Sequence, residues 1–333
     1  MDDRGQMADD KRPSVVRHPS SVVHASALGK IILCGEHAVV YGRPAIAIPI
    51  SQVQATATVE PAAPGAGLTL HAPDMGLVLR LDEAPPDQPL AAIVRGTLAY
   101  LGAQAPDATL TVRSTIPVAS GMGSSAAVST AMARTLARYL GAPLERAALS
   151  ALVYEVEKLH HGTPSGVDNT VIAYEQPVYF VRGQPIERLT IRGRFHLLIA
   201  DTGVPSLTRL AVGDVHRAWE ADPATYERLF DEIGAIVRAA RAALESGDVA
   251  RLGPLLNANQ ERLRQIGVSS PELERLIAAA LAAGASGAKL CGGGRGGNMI
   301  ALVSPTTQAA VAEALRAAGA TRILFQEIGE EGF

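Results

Sequence analysis

A loop rich in glycine and serine reads Pro117-Val118-Ala119-Ser120-Gly121-Met122-Gly123-Ser124-Ser125. A strand predicted over Ala108 to Val112 leads into it, and a helix predicted over Ala126 to Leu140 follows it. The start of a helix presents unpaired N–H groups, and glycines let the backbone close around an anion. Serine hydroxyls add hydrogen-bond donors and a ligand for Mg²⁺. The stretch therefore predicts a phosphate-binding loop.

Two other interpretations of this loop stay open on the sequence alone. It can be an ordinary serine N-cap that follows a glycine turn. It also fits the dinucleotide pattern G-x-G-x-x-A. Against the dinucleotide interpretation, the preceding strand is not the first of a βαβ series. No acidic residue ends a following strand about 20 residues on, and Glu145 lies at the start of a predicted helix instead.

A second segment carries two acidic residues that suit phosphoryl transfer. Glu157 lies in the last turn of a helix predicted over Leu144 to His160, and Asp168 follows a loop rich in glycine, proline and serine. We expect Asp168 in a turn that points its carboxylate inward. Such a carboxylate can accept the proton of an acceptor hydroxyl or bind Mg²⁺. The alternative is a solvated loop with an aspartate in an Asx turn.

A third segment, Gly287 to Asn298, has five glycines in the six positions 292–297, interrupted only by Arg295. It contains G-x-G-x-x-G by count, but a strand predicted over Asn298 to Val303 follows it, so the dinucleotide context fails. So many glycines indicate close approach of the backbone to a phosphate, to a catalytic loop or to another strand in a tight turn.

The fourth segment, Gly29 to Gly42, holds a single lysine in apolar surroundings and a Glu36-His37 pair. A half-buried Lys30 beside Asp168 would stay charged and could stabilise the deprotonated oxygen of an acceptor. The alternative is a lysine at a strand end whose stem is packed and whose head lies in water.

Taken in this order, the four segments resemble the GHMP kinase superfamily, which includes galactokinase, homoserine kinase, mevalonate kinase and phosphomevalonate kinase. The fourth segment (Gly29 to Gly42), residues 161–169 and residues 201–208 most resemble the mevalonate kinase family. The resemblance implies an α+β, two-lobed GHMP kinase fold. Residues 21–185 would form an N-terminal ATP-binding lobe similar to domain 2 of ribosomal protein S5. Residues 186–333 would form a C-terminal ferredoxin-like lobe with extra helices, and the site would lie between the lobes.

The resemblance also implies an activity, the ATP-dependent phosphorylation of mevalonate to 5-phosphomevalonate in isoprenoid biosynthesis. Asp168 would be the catalytic base or charge partner, with Lys30 between it and the hydroxyl. Ser125 and Glu157 would bind Mg²⁺. The residues expected to bind substrate are Lys30, Glu36, His37, Asp168 and Thr208. The residues expected to bind the ATP phosphates are Pro117, Ala119, Ser120, Gly121, Met122, Gly123, Ser124, Ser125, Gly293 and Gly294.

The sequence departs from the family pattern at three places. Leu28 stands before Gly29-Lys30, where the family often has proline. Cys291, Gly293 and Arg295 differ from the usual third segment, Lys-Leu-Thr-Gly-Ala-Gly-Gly-Gly-Gly. Gly203 and Ser206 stand where the animal enzymes carry basic residues, so that loop looks more like the archaeal and bacterial form. These differences leave the fine substrate contacts, and inhibition by prenyl diphosphates, open.

The composition limits the other classes of function. The chain of 333 residues has a formal net charge of -3, so a nucleic-acid partner is not expected. Its two cysteines lie far apart and form no disulfide or zinc pattern. Residues 1–20 are polar and predict a disordered leader rather than a signal peptide, and no apolar run is long enough to span a membrane. We expect a cytoplasmic protein, with a homodimer as an open possibility.

Four rival functions remain at this stage. The chain can be a GHMP kinase for phosphomevalonate, a sugar or another small alcohol. It can be a decarboxylase of phosphorylated mevalonate, although the Lys30 and Asp168 pair favours simple transfer. A dinucleotide-binding oxidoreductase and an inactive nucleotide sensor are the other two, and the full set of Lys30, Ser125, Glu157 and Asp168 argues against the sensor.

Overall fold

Two β-sheets organise the fold, one in each of two lobes. The structure is a computed structural model that describes residues 21–161 and 164–329. The leader predicted over residues 1–20 lies outside the described residues, and so do Gly162 and Thr163 of the second segment.

The first sheet has seven strands within the described residues, and all its pairs are antiparallel except one. Its long first strand pairs with the second and shifts register between Leu28 and Gly29, just before Lys30. The strands are β1 (Val23–Cys34), β2 (Ala45–Pro61), β3 (Leu68–Ala72), β4 (Leu77–Arg80), β5 (Ala108–Ser114), β6 (Val178–Phe180) and β7 (Glu187–Arg188).

The helices of this lobe are α1 (Pro89–Leu101), α2 (Ser124–Tyr139), α3 (Arg146–His161) and α4 (Val167–Tyr174). Helix α2 packs directly on β1 and β2, and α1 and α3 pack on α2. Five alanines of α2 have no exposed surface, and their small side chains let the helix axis come close to the sheet: Ala126, Ala127, Ala131, Ala133 and Ala137. The phosphate-binding loop is therefore anchored to the core through a rigid helix.

The second lobe has a four-stranded antiparallel sheet of β8 (Phe195–Asp201), β9 (Gly287–Cys291), β10 (Asn298–Val303) and β11 (Arg322–Ile328). The strand order is β11-β8-β10-β9, which is the ferredoxin-like order. The helices are α5 (Thr208–Ala221), α6 (Pro223–Ser246), α7 (Leu252–Gln265), α8 (Pro271–Ala282) and α9 (Gln308–Ala317). The predicted α+β, two-lobed fold is confirmed. Within the described residues, no helix has the length and apolar character needed to span a bilayer.

The sequence prediction for Asp168 needs one correction. Asp168 was expected in a turn, whereas it lies in the first turn of helix α4. Gly166, with φ of 91°, makes the predicted turn just before the helix. The helix is short and rich in β-branched residues with low helix propensity, so its sequence pattern is weak. Complete burial of Val167, Val171 and Ile172 stabilises it.

The sequence did not predict strand β7, because this strand has only two residues. It pairs with β6 of the first sheet, just after the boundary predicted between residues 185 and 186. The division of the chain at that position stays a prediction.

Helix α7 covers the open edge of β9 with polar side chains. The amide of Ala288 donates to Asn257 Oδ1 and the amide of Leu290 donates to Gln260 Oε1, both at 2.9 Å. An exposed strand edge leaves such amides unpaired, so the two side chains take the place of a further strand. The strand that leads into the glycine-rich segment is thereby held in position.

We expect Gln260→Ala to destabilise the protein by about 1–3 kcal/mol, because it leaves the buried Leu290 amide without an acceptor. Gln260 is 1% exposed and also donates to Ser269 and Glu274. The matched control is Gln265→Ala on the exposed face of the same helix, which should change stability by less than about 0.5 kcal/mol. Urea unfolding of both variants measures the difference, and equal effects would refute the edge-covering role.

Candidate active site

The loop predicted to bind phosphate leads into α2, which begins at Ser124, two residues before the predicted start at Ala126. Gly123, with φ of 74°, is the N-cap residue, and Ser124 is the first residue of the helix. Within the loop, Ser120 Oγ donates to the Pro117 carbonyl at 2.8 Å. Ala119 has φ of 54°, which is a strained conformation for a residue with a side chain. The loop is a tight turn that leads directly into the first turn of α2, and the start of a helix presents N–H groups that suit an anion.

Lys30 ties β1 to this loop and to α4. Its side chain is 2% exposed, and Nζ lies 2.9 Å from Asp168 Oδ1 and 2.9 Å from the Gly121 carbonyl oxygen. Its backbone amide donates to the Met122 carbonyl at 3.1 Å. Burial alone would lower the pKa of Lys30, but the nearby negative charges, Asp168 foremost, hold that pKa above its ordinary value. Lys30 is therefore a buried cation held at the loop.

The absence of a side chain at Gly123 makes this arrangement possible. A Cβ atom there would lie 2.8 Å from Ile172 Cδ1 and 3.1 Å from Lys30 Cγ. Either contact would force Lys30 or α4 away from the loop. The glycine is thus needed for the lysine stem as well as for its own backbone conformation.

Ser125 and Glu157 form a second polar pair in the same lobe. Ser125 Oγ donates to Glu157 Oε1 at 2.6 Å, from the start of α2 to the end of α3. Glu157 is 2% exposed, and burial together with the charge of Asp168 raises its pKa to about 7. The hydrogen bond from Ser125 and the charge of Lys30 oppose this shift. Strand β1 and the helices α2, α3 and α4 thus bring together four of the predicted site residues: Lys30, Ser125, Glu157 and Asp168.

His37 connects the first lobe to the glycine-rich segment of the second. Its Nε2 donates to the Gly293 carbonyl at 3.0 Å, and its backbone has φ of 60°. Burial lowers the pKa of His37 to about 4, so the ring is neutral and carries its proton on Nε2. Glu36, the residue before it, forms an ion pair with Lys289 of β9, and both side chains are buried. Sequence reasoning did not single out Lys289, because nothing in the sequence relates it to Glu36.

The second lobe contributes the glycine-rich segment and the start of α5. A Cβ atom on Gly293 would lie 2.7 Å from Thr208 Oγ1, and Ser206 Oγ donates to the Gly294 carbonyl at 2.8 Å. The Ser206 amide donates to the Ala119 carbonyl at 2.8 Å. The segment 201–208 therefore touches both glycine loops, and Thr208 lies beside Gly293.

The two glycine loops meet at the lobe boundary. A Cβ atom on Gly121 would lie 3.3 Å from the Cys291 carbonyl oxygen. Asn298 Nδ2 donates to the Ser120 carbonyl at 2.7 Å. Arg295 turns away from this contact, toward the Gly267 carbonyl at 3.2 Å and toward Asp214, with which it forms an ion pair. The side chain that departs from the family pattern thus anchors the loop to α5 and to the end of α7.

The neutral state of His37 predicts a pH dependence of stability. The ordinary histidine pKa is about 6.5, so as the pH decreases His37 binds a proton at a higher pH in the unfolded chain than in the folded chain. Folding stability should fall as the pH decreases from about 7 toward 4, by at most about 3 kcal/mol from this residue. His37→Gln, which keeps an N–H donor, should lose less stability over that range, while the exposed-site control His24→Gln should behave like the parent. Urea unfolding at several pH values measures this, and identical pH profiles for the parent and His37→Gln would contradict it.

Comparisons with known proteins identify the family of the chain. Residues 91–176 match the family described as GHMP kinases N terminal domain, and residues 240–321 match the one described as GHMP kinases C terminal. The mevalonate kinase of Aeropyrum pernix is 37% identical over 289 residues, which cover 84% of this chain and 87% of the relative.

Two solved structures share the fold. The L. major mevalonate kinase in complex with R-mevalonate superposes with a TM-score of 0.78 and 31% identity, covering 93% of this chain and 97% of that chain. The Streptococcus pneumoniae phosphomevalonate kinase has a TM-score of 0.81 at 16% identity, covering 92% of this chain and 100% of that chain, a likeness of fold alone. The matched domains, the level of identity and the shared fold together show that this chain belongs to the GHMP kinase superfamily and, within it, to the mevalonate kinase family.

Proposed function

We propose that this chain transfers the γ-phosphate of ATP to the primary hydroxyl of mevalonate and so produces 5-phosphomevalonate. The observation that carries the proposal is the Lys30–Asp168 ion pair, with Lys30 Nζ bonded to the Gly121 carbonyl of the phosphate-binding loop. This pair supports the proposal because it would supply an acid–base group and a buried cation next to the transferred phosphoryl group. The relative solved with R-mevalonate supports this choice of alcohol.

The ATP phosphates would lie on the loop at the start of α2. There the helix dipole, the free amides and the hydroxyls of Ser124 and Ser125 favour negative charge. Gly293 and Gly294 would bound the phosphate site from the second lobe, where the backbone can approach closely for want of a side chain. The contribution of each loop residue to ATP binding stays a prediction.

Mg²⁺ would be held by Ser125 and Glu157. Within the described ranges, no group of three or more His, Cys, Asp or Glu side chains is arranged to hold a metal ion. One hydroxyl and one carboxylate nevertheless fit Mg²⁺, which usually takes few protein ligands and completes its shell with water and substrate phosphates. When bound, the ion would neutralise charge on the phosphates during transfer.

The transfer step follows from the positions of Lys30 and Asp168. The substrate oxygen forms a bond to the γ-phosphorus as the bond to the bridging oxygen of ADP breaks, and the hydroxyl proton goes to Asp168. Lys30, charged because of its partner, stabilises the developing negative charge on the attacking oxygen. Positioning and electrostatics supply most of the rate in such transfers.

The alcohol would bind at the junction of the lobes, near His37 and Thr208. His37 is fixed against Gly293 and Thr208 packs against the same residue, so both lie beside the second glycine loop. Glu36 was expected to bind substrate as well, but its carboxylate is 1% exposed and paired with Lys289. A homodimer and a cytoplasmic location stay predictions.

A coupled assay of ADP release with mevalonate, phosphomevalonate, galactose and homoserine tests the substrate. We expect mevalonate to be turned over much faster than the other three. Release of CO₂ from phosphorylated mevalonate, or a rate with phosphomevalonate above that with mevalonate, would overturn the proposal. A change in NAD(P)H fluorescence on mixing would favour the oxidoreductase alternative.

Asp168→Ala should reduce kcat by about 10²–10⁴-fold, because it removes the proton acceptor and the partner of Lys30. ATP binding should change little, since the loop at the start of α2 is intact. Asp82→Ala is the control, an exposed aspartate that pairs with Arg80 away from the site. Near-normal turnover in Asp168→Ala would refute the assigned roles.

The raised pKa of Glu157 predicts that protons compete with Mg²⁺. With a pKa of about 7, most Glu157 carboxyls are charged at pH 8 and few at pH 6. The apparent affinity for Mg²⁺ in the presence of ATP should therefore fall by about tenfold from pH 8 to pH 6. This decrease comes in addition to the one caused by protonation of ATP itself. Glu157→Gln measures that background. If the parent and Glu157→Gln have the same pH dependence, Glu157 is not a ligand.

A further inference from the structure

A buried ion pair that the proposed mechanism does not use joins the two lobes. Lys289 lies in the middle of β9 and is 0% exposed, and its Nζ contacts Oε1 of Glu36, which is 1% exposed. Glu36 belongs to the turn that follows β1 in the first lobe. The pair therefore lies in the interior, between the first lobe and the edge strand of the second.

Lys289 is the cation that contacts the buried carboxylate of Glu36. Its second oxygen, Oε2, has no hydrogen-bond partner among the described residues. A buried carboxylate without a cation is strongly unfavourable, so removal of Lys289 would leave an uncompensated charge in the interior. An apolar pair of similar size could pack there, so the retention of two charges calls for a reason beyond stability.

Two further contacts hold the turn between Cys34 and His37 and the end of β1 just before it. The Gly35 amide is 3.4 Å from Asn259 Oδ1 of α7, and Cys291 Sγ is 3.4 Å from the Ile32 carbonyl. A Cβ atom on Gly35 would lie 2.6 Å from Ala45 Cα. The turn is thus pressed against β2 on one side and bonded to the second lobe on the other.

His37 comes next, and its backbone is strained. A positive φ in a residue other than glycine persists only where the surroundings enforce it. On its N-terminal side the enforcing contact is Glu36 with Lys289, and its own ring is bonded to Gly293, four residues after Lys289. The two contacts form consecutive links between the same two segments, one ionic and one a hydrogen bond.

We propose that Lys289 is a positioning residue, which holds His37 at the alcohol end of the cleft through Glu36. Glu36 then links Lys289 to His37 and does not itself touch the substrate. The ion pair supplies a directional contact that sets the register of the 35–37 turn against β9, and the hydrogen bond from His37 to Gly293 follows from that register. That His37 faces the alcohol rests on the proposed function, whereas the connection from Lys289 through Glu36 to His37 does not.

The Glu36–Lys289 ion pair can have one of two roles. If the pair only joins the lobes, a neutral pair should replace it in every respect. If the pair positions His37, a neutral pair should restore folding but not substrate binding. Lys289→Met, Glu36→Gln and the double variant Glu36→Gln/Lys289→Met distinguish these cases, with Glu313→Gln/Arg316→Met as an exposed ion-pair control on α9.

Steady-state kinetics and thermal unfolding of the four full-length variants provide the test. We expect Lys289→Met to lower the unfolding midpoint and to raise KM for mevalonate by about tenfold or more, with KM for ATP nearly unchanged. The double variant should regain most of the midpoint and keep the raised KM. The inference is overturned if KM for mevalonate is unchanged in Lys289→Met, if KM for ATP rises equally, or if the double variant restores both properties.

A spectroscopic measurement tests the link without reference to activity. In the ligand-free protein labelled with ¹⁵N-histidine, the His37 Nε2 resonance should shift or broaden in the double variant and stay unchanged in the α9 control. An unchanged resonance in the double variant overturns the positioning role. If the parent does not turn over mevalonate, the proposed function fails, and this resonance still decides whether the ion pair positions His37.

Discussion

The buried ammonium of Lys30 is the constraint on which the site depends. A cation that is 2% exposed is stable only beside groups that compensate its charge, and the structure supplies the Asp168 carboxylate and the Gly121 carbonyl. These two partners lie on α4 and on the phosphate-binding loop. Compensation of the Lys30 charge therefore fixes three elements relative to one another. These are the loop, the helix α4 that carries the carboxylate, and strand β1.

Close contact between backbones extends this constraint to the second lobe. Gly121 touches the glycine-rich segment, and the segment in turn touches Thr208. Among the described residues other than glycine, four have a positive φ, and three of these lie in the loops of the site: His37, Ala119 and Arg295. Strained backbone concentrates where surrounding contacts enforce it, which is a common property of binding and catalytic loops. These loops therefore have little freedom to adopt other conformations.

The sequence predicted the parts of the site that depend on local chemistry. The glycine and serine run before α2 has the composition of an anion loop, and the order of four segments led to Lys30, Ser125, Glu157 and Asp168. The helix that carries Asp168 was not predicted, because burial rather than propensity stabilises those eight residues. Lys289 was not predicted either, since its partner Glu36 is distant in sequence and only the packing of the lobes brings them together.

We propose that Lys30 and Asp168 act directly on the hydroxyl that receives the phosphoryl group. The most direct measurement is a crystal structure of this chain with mevalonate and a non-hydrolysable ATP analogue. We expect the primary hydroxyl oxygen to lie within hydrogen-bonding distance, about 3 Å, of Asp168 or Lys30 and in line with the γ-phosphorus. A hydroxyl that lies beyond reach of both side chains, with the phosphates away from the loop at residues 117–125, would contradict it.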